Sequence, residues 1–243
     1  MIYICYGMQK SASTFAYQLA IDVAQMRSDQ THLQMNLPED LQPKFTTSLD
    51  VTLSGLLDFI AQDEIYVIKT HNPVTWDVKE LIQAGRVRGL VSYRNPFDIV
   101  ISLIDAGERE RQKNKNEQRE YFSQIECQDD ALQLMDVIMS HAKTWLDFDS
   151  DQILKIPFPK IAQFPTLVVQ EIAAFMGVDV DPGKIVHGYL THQKPIYEFN
   201  VGKENRGERE LIFSGDEQLK LEMEQFVRDY CGVAPNRRDE SVI

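Results

Sequence analysis

The chain has 243 residues, a length that suits a single α/β domain spanning residues 1–243. Its formal charge of −12 argues against binding nucleic acid or an anionic membrane through a broad basic face, so any anion site must be local. The three cysteines are far apart and in no C-x-x-C spacing, which indicates neither a zinc site nor a disulfide framework. No apolar stretch reaches the ~20 residues of a membrane span, so we expect a soluble, cytoplasmic protein.

Residues 2–24 predict a strand, a loop and a helix in succession. The strand is the apolar run IYICY, the loop is GMQKSAST, and the helix opens near Phe15. One face of this helix is apolar at helical spacing: Phe15, Leu19, Val23 and Met26. That face should pack on a core, so the start of the helix, and with it the free amides of the loop, should lie over the end of the strand.

This first loop carries the groups that bind a phosphate. Unpaired N–H groups and the helix dipole favour an anion at a helix start, and Lys10 adds a full charge. Hydroxyl donors follow at Ser11, Ser13 and Thr14. A helix that is merely capped by Ser or Thr is the alternative. The loop is not a Walker A loop, because Gln9 stands where a second glycine is needed, so we expect a cup for one phosphate-like group.

The next segments predict a parallel sheet. Residues 31–54 are rich in Pro, Thr and Ser and indicate a surface excursion, followed by a helix around 53–62. The β-branched apolar runs at 64–71 and 87–93 are typical of central strands. Strands that alternate with helices imply right-handed crossovers, so we expect an α/β fold with a central parallel sheet flanked by helices in three layers. Ligands of such sheets bind at the carboxyl ends of the strands.

The later segments indicate helices with a structural role. Residues 107–120 are almost wholly polar and predict a solvated helix or a mobile lid. Helical periodicity follows at 131–148 and 167–176. Ser214 and Glu217 have the spacing of a capping box for the last helix.

The second predicted strand ends in KTH, which places Lys69 and His71 two residues apart. Side chains at that spacing lie on the same face of a strand. A neutral His can take a proton near neutral pH, and Lys69 could stabilise negative charge on a transferred group. The pair therefore suggests group transfer to an OH or NH. A surface Lys beside a solvated or capping His is the alternative.

The third predicted strand ends in YRNPFDIVIS. Asn95 can cap the following helix, Pro96 suits its first turn, and Asp98 stands at the capping-box spacing. Arg94 can make bidentate contacts to a phosphate, and Ser102 lies two turns into the same helix. A second phosphate site is the resulting hypothesis. The alternative is an Arg paired with a nearby carboxylate and a Ser in an ordinary helix.

The segments GMQKSASTF, IKTH and YRNPFDIVIS resemble the ordered motifs of the sulfotransferases that use 3′-phosphoadenosine 5′-phosphosulfate (PAPS), the cytosolic type most closely. The resemblance implies a P-loop-like fold, PAPS as sulfuryl donor, adenosine 3′,5′-bisphosphate as product, and no metal. It also implies that the first loop grips the 5′-phosphosulfate, with contacts from Lys10, Ser11, Ala12, Ser13 and Thr14.

The same resemblance implies individual roles. Lys10 steadies the leaving 5′-phosphate, Lys69 assists the migrating sulfuryl group, and His71 takes the proton of the acceptor. Arg94 and Ser102 hold the 3′-phosphate.

Similarity to this family extends along the chain. HAKTWL, around Trp145, is similar to one of its late helices, and KENRG is similar to the element that closes over the 3′-phosphate, which makes Arg206 and Gly207 cofactor contacts. Two positions depart from the family. Ala12 replaces a usual Gly, so we expect negative φ there, and Phe15 replaces a common Trp but should still offer an aromatic face to adenine.

Two other functions remain open. A small-molecule kinase would need ATP and Mg²⁺, against which stand the missing Walker glycine and the lack of a clear acidic metal ligand. A noncatalytic nucleotide-binding protein would keep the fold without turnover, against which stand Lys69 and His71. The acceptor could be a lipid, phenol, sugar or peptide, and the motif for dimerisation of the cytosolic enzymes is not evident, so the oligomeric state stays open.

Overall fold

The computed structural model of the chain describes residues 1–26, 45–46, 57, 65–113, 121–196 and 205–232. Most of the predicted excursion at 31–54, nearly all of the predicted helix at 53–62, and the last part of the charged segment, 114–120, lie outside the described residues. Residues 107–113 of that segment are helical. Among the helices that the structure describes, none is both long and apolar enough to cross a membrane.

The predicted parallel sheet is confirmed. Its strands are β1 (Ile2–Gly7), β2 (Phe45–Thr46), β3 (Tyr66–Thr70), β4 (Val87–Tyr93) and β5 (Ile153–Pro157). They lie in the order β2-β3-β1-β4-β5, and every neighbouring pair is parallel. Because β1 lies between β3 and β4, the loop that follows β1 begins between the carboxyl ends of both neighbours.

Within the described residues, the α-helices are numbered in chain order. They are α1 (Ser13–Gln25), α2 (Trp76–Gln83), α3 (Pro96–Lys113), α4 (Gln128–Leu132), α5 (Met135–Leu146), α6 (Phe158–Gln163), α7 (Pro165–Met176), α8 (Pro182–Leu190), α9 (Arg206–Glu210) and α10 (Glu217–Phe226). The helix predicted at 131–148 is therefore α5, with α4 as a separate short helix before it. The helix predicted at 167–176 is α7, and it ends at Gly177 in the left-handed conformation.

The capping box predicted at Ser214 and Glu217 is wrong. The N-cap of α10 is Asp216, whose carboxylate accepts a hydrogen bond of 2.6 Å from the backbone N–H of Gln218. An Asp directly before the helix caps as well as a Ser does, and the hydroxyl of Ser214 donates instead to the carboxylate of Asp129.

The chain divides into two compact units. The first unit comprises residues 1–93 and 140–203, and the second comprises 94–139 and 204–243. The first unit contains the whole sheet, and its core packs apolar side chains of the sheet against α1, α7 and α8. Leu19 of α1 is fully buried in that core as predicted, whereas Met26, at the end of the same helix, is half-exposed.

Candidate active site

The segment GMQKSAST, residues 7–14, joins β1 to the first turn of α1 and is called the β1–α1 loop below. It contains two residues in the left-handed conformation. Lys10 has φ 62° and Ala12 has φ 61°. The expected negative φ at Ala12 is therefore wrong: the tight turn from β1 into α1 outweighs a cost of about 1–2 kcal/mol for a residue with a Cβ. Turns with left-handed residues direct successive N–H groups into a concave anion site, so this correction favours the predicted phosphate loop.

The start of α1 is not capped in the ordinary way. Its N-cap residue is Ala12, which has no side chain that could accept a hydrogen bond from the first turn. The first turn also carries no acidic side chain. The alternative of a merely capped helix therefore does not describe α1, and the dipole at its start favours an anion.

Two serines of the β1–α1 loop, Ser11 and Ser13, contact different strands of the sheet. Ser11 is fully buried, and its hydroxyl donates to the carbonyl of Ser92 at 3.2 Å, so it fastens the loop to β4. Ser13 packs directly over Gly7, where an added Cβ would lie 1.9 Å from that of Ser13. Gly7 is thus the residue that allows α1 to begin so close to β1.

Two residues of the KTH motif, Lys69 and His71, contact the β1–α1 loop. Nζ of Lys69 donates to Oγ1 of Thr14 at 2.6 Å, and Lys69 is only 8% exposed. Nδ1 of His71 forms a short hydrogen bond with the carbonyl oxygen of Gly7. A carbonyl only accepts, so Nδ1 carries the hydrogen, and Nε2 is the atom of His71 that can take a proton. Burial raises the pKa of Cys5, the β1 neighbour of Lys69 in register, so its thiol stays protonated.

Sequence reasoning missed a set of side chains on α5 that contact the segment after β3. His141, Thr144 and Trp145 each form a hydrogen bond with the backbone of residues 71–74. The only signal in the sequence is their spacing of three and four residues in HAKTWL, which places them on one helix face.

Phe15 belongs to an aromatic pair. Its ring meets that of Tyr189 edge-on, with centroids 5.1 Å apart. The hydroxyl of Tyr189 donates to Asp22 at 2.7 Å, and the same carboxylate accepts from Lys194 at 2.8 Å. Tyr189, the aromatic partner of Phe15, is therefore itself held by a buried carboxylate.

In the second unit, Arg94 and Ser102 are both buried. Arg94 is 5% exposed and lies 3.6 Å from the carboxylate of Asp98, so the paired-arginine alternative describes its local contact. Ser102 is 1% exposed within α3. The predicted cap is present, because Oδ1 of Asn95 accepts from the N–H of Phe97 at 3.0 Å.

Asp98 does not form the predicted capping box. Its carboxylate accepts instead from the backbone N–H of Asn205 at 3.0 Å and of Gly207 at 2.8 Å. An added Cβ on Gly207 would lie 2.4 Å from Cβ of Phe97, so only glycine fits this position. Asp98 therefore joins Gly207 to the helix that follows Arg94.

Arg206 pairs with two carboxylates. Its Nη1 lies 2.5 Å from Oδ2 of Asp105, and its Nη2 lies 2.6 Å from Oε2 of Glu210. These pairs raise the pKa of Arg206 and lower that of Glu210. The guanidinium predicted to contact the cofactor is thus neutralised within its own unit.

Several solved structures share the fold at low identity. A structure of retinol dehydratase in complex with androsterone and the inactive cofactor PAP is 14% identical, with a TM-score of 0.52, and the match covers 100% of this chain and 82% of that one. A structure of mouse sulfotransferase SULT7A1 complexed with PAP is 12% identical, with a TM-score of 0.55 and coverage of 96% and 85%. The sulfotransferase domain of the Synechococcus PCC 7002 olefin synthase is 12% identical, with a TM-score of 0.52 and coverage of 97% and 95%. These likenesses confirm the fold.

The sequence comparisons identify the family. No curated protein matches the chain. The family model described as a sulfotransferase domain matches residues 3–228, which is nearly the whole chain and includes all three motifs. This match confirms the family that the motifs resemble, and the chain belongs to the sulfotransferase domain family.

Proposed function

We propose that the protein transfers a sulfuryl group from PAPS to a hydroxyl or amine of a small acceptor, with His71 as the general base. The observation that carries this proposal is the meeting of Lys69 and His71 at the β1–α1 loop, through Thr14 and the carbonyl of Gly7 respectively. A buried cation and an oriented imidazole beside one anion-binding loop are the groups that such a transfer needs.

The residues of the β1–α1 loop fit a 5′-phosphosulfate. The loop combines left-handed residues at Lys10 and Ala12, a helix start without a capping side chain, and the charge of Lys10. Lys69 of β3 adds a second positive charge beside the loop. Thr14 adds a hydroxyl in the first turn, whereas Ser11 supports the loop from within. The backbone conformation and the charges together therefore support phosphate binding more strongly than the presence of hydroxyl groups in the sequence.

For the rest of the nucleotide, the residues that would hold it carry matching chemistry. The aromatic ring of Phe15, which packs against Tyr189, suits the adenine, and the guanidinium of Arg94 suits the 3′-phosphate. Ser102, Arg206 and Gly207 are the further contacts that the family motifs imply. Asp98 already pairs with the buried guanidinium of Arg94. A bound 3′-phosphate would therefore be the second anion beside this guanidinium. Arg94 is therefore the residue whose role most needs a test.

The catalytic steps follow from the two strand-end residues. When bound, PAPS would supply a sulfuryl group, whose sulfur forms a bond to the acceptor oxygen or nitrogen as its bond to the 5′-phosphate breaks. Nε2 of His71 takes the proton that the acceptor loses. Lys69 stabilises the charge that develops between donor and acceptor, and Lys10 stabilises the charge left on the 5′-phosphate. General-base catalysis of this kind contributes about 10²–10⁴-fold.

The acceptor class is part of the proposal. The structures of retinol dehydratase contain androsterone or retinol, both of which are small apolar molecules. We therefore propose a small hydroxyl compound as the first acceptor to test, followed by amines, sugars and tyrosine peptides.

The location of the protein is a separate part of the proposal. Its three cysteines are free thiols, which favours a reducing compartment such as the cytoplasm.

The test measures transfer of ³⁵S from labelled PAPS in the presence of EDTA. The acceptor panel is 2-naphthol, androsterone, octanol, octylamine, glucosamine and a tyrosine peptide. We expect label on at least one of these acceptors, and a loss of at least ~10²-fold in His71→Asn. His187→Asn, an exposed histidine of α8, is the matched control and should keep the wild-type rate. Full activity in His71→Asn, or Mg²⁺-dependent transfer of phosphate from ATP instead, would contradict the proposal.

A further inference from the structure

We infer that His141 of α5 is a positioning residue for His71: its ring N–H holds the backbone carbonyl of His71 and thereby sets the direction in which the catalytic imidazole points. The inference rests on the proposed role of His71 as base. Nδ1 of His141 lies 3.2 Å from the carbonyl oxygen of His71. A carbonyl accepts, so Nδ1 of His141 carries the hydrogen.

The contact belongs to a continuous set along one face of α5. Nε1 of Trp145 donates to the carbonyl of Asn72 at 2.9 Å, next to the bond that His141 makes. Oγ1 of Thr144 accepts from the N–H of Val74 at 2.9 Å. Residues 71–74 follow the end of β3 and are not part of a strand. The side chains of His141, Thr144 and Trp145 therefore supply hydrogen bonds that a neighbouring strand would otherwise make.

His141, Thr144 and Trp145 differ in the other contacts that they make, and these contacts indicate different roles. Trp145 is fully buried and stacks on Tyr6, so it is part of the packing of the first unit. The hydroxyl of Thr144 also donates to the carbonyl of His141 at 2.7 Å and so supports the helix. His141 is half-buried and contacts the backbone of the catalytic residue itself. It is therefore the member whose loss should change the geometry of His71 most selectively.

Two contacts bear on the direction of the imidazole of His71. Its ring is held by the carbonyl of Gly7, and its backbone is held by His141. Loss of the contact to His141 allows the backbone of His71 to shift, which moves Nε2 relative to the β1–α1 loop. A misplacement of about 1 Å in a reacting group costs about 10²-fold in rate. The hold does not depend on the charge of His141, because Nδ1 carries a hydrogen in both the neutral and the protonated ring.

Three variants of His141 separate this role from packing and from catalysis by His141 itself. In His141→Asn the amide nitrogen takes the place of Nδ1, so the hydrogen bond is kept. In His141→Leu the size is similar and the donor is lost. In His141→Gln the donor lies one bond farther from the backbone, which serves the same purpose if the Leu variant does not fold.

The first readout is the ring ¹⁵N spectrum of His71 in the ligand-free protein, assigned with His71→Asn. We expect His141→Asn to keep the wild-type signals, and His141→Leu and His141→Gln to shift or broaden them. Unchanged His71 signals in the Leu and Gln variants would overturn the inference, whatever the activity. Because this readout needs neither PAPS nor an acceptor, it is decided independently of the proposed function.

The second readout is turnover with the acceptor that the ³⁵S assay labels. We expect kcat of His141→Leu to fall by ~10–100-fold with the acceptor KM nearly unchanged, and His141→Asn to restore most of the rate. If His141→Asn were as inactive as His71→Asn while the His71 signals stayed normal, His141 would itself be the base and the inference would be wrong. Full turnover in His71→Asn would instead contradict the proposed function and leave the spectroscopic result standing.

Discussion

Nζ of Lys69 lies 2.6 Å from Oγ1 of Thr14, so a nearly buried cation on β3 is joined to the first turn of α1. The two residues are 55 positions apart and meet because β1 and β3 are parallel neighbours. An ammonium with little access to water gains more from an anion than an exposed one does. The contact therefore places an electrostatic group at the loop where a phosphosulfate would be held.

Replacing Lys69 with Met should slow the chemical step more than it weakens binding. The change keeps the length of the side chain but removes the charge that meets the developing negative charge, so we expect kcat to fall by ~10²–10³-fold. Steady-state rates with labelled PAPS, together with calorimetric binding of adenosine 3′,5′-bisphosphate, would measure both effects. Lys184→Met, an exposed lysine of α8, is the control. A kcat that matches the control would remove Lys69 from the mechanism.

Replacing Arg94 with Ala should separate the two phosphates of the nucleotide. Loss of a charge-assisted contact costs about 1.5–3 kcal/mol, so we expect the affinity for adenosine 3′,5′-bisphosphate to fall by ~10–100-fold. The affinity for 5′-AMP, which lacks the 3′-phosphate, should change by less than ~3-fold. Arg228→Ala, an exposed arginine of the second unit, serves as control. Equal losses for both nucleotides would show that Arg94 supports the fold and does not read the 3′-phosphate.

Replacing Ala12 with Gly should stabilise the protein. The φ of 61° at Ala12 disfavours any residue with a Cβ, so relief of that strain should raise the free energy of unfolding by about 1 kcal/mol. Ala84 offers a matched comparison, because it is exposed and has φ −75°, where Gly only adds entropy to the unfolded chain. Thermal unfolding should show opposite shifts for Ala12→Gly and Ala84→Gly. A loss of stability in both would mean that the left-handed turn at Ala12 carries no strain.

Most of the sheet and the position of the motifs could be predicted because they depend on local patterns. The run at 87–93 is β-branched and is ended by Arg94 and a following Pro, and it forms β4 with the predicted bounds. The conformation of Ala12 could not be predicted, because intrinsic preference disfavours it and only the close approach of α1 to β1 requires it.

Hydrogen bonds between residues that are distant in the sequence could not be predicted either. Asp98 has the spacing of a capping box, yet its carboxylate binds backbone N–H groups more than a hundred residues away, at Asn205 and Gly207. His141 contacts the backbone of His71 across 70 residues. Such contacts depend on tertiary packing, which no local period in one sequence encodes.

The Arg206–Glu210 pair predicts a pH dependence of stability. The hydrogen bond from Arg206 lowers the pKa of Glu210 below its ordinary value. Because the folded pKa lies below the unfolded one, the pair stabilises the fold at neutral pH, and this contribution is lost as the pH falls through the lowered value. Thermal unfolding should place Glu210→Gln slightly below the wild type at pH 7, and the two should converge in acid.

High salt gives the control for this pair. Glu210 is largely exposed, so salt should screen its interaction with Arg206 and narrow the difference at pH 7. A difference that grows as the pH falls would contradict the assignment of the lowered pKa to this pair.

The most direct test of the central claim is thermal unfolding with three nucleotides: adenosine 3′,5′-bisphosphate, 5′-AMP, and ATP with Mg²⁺. A ligand at a hundred times its Kd adds about 2.7 kcal/mol, which raises Tm by several degrees in a chain of this size. A PAPS site predicts the largest rise with the bisphosphate, without Mg²⁺. A rise only with ATP and Mg²⁺ would favour a kinase, and no rise with any nucleotide would contradict the account altogether.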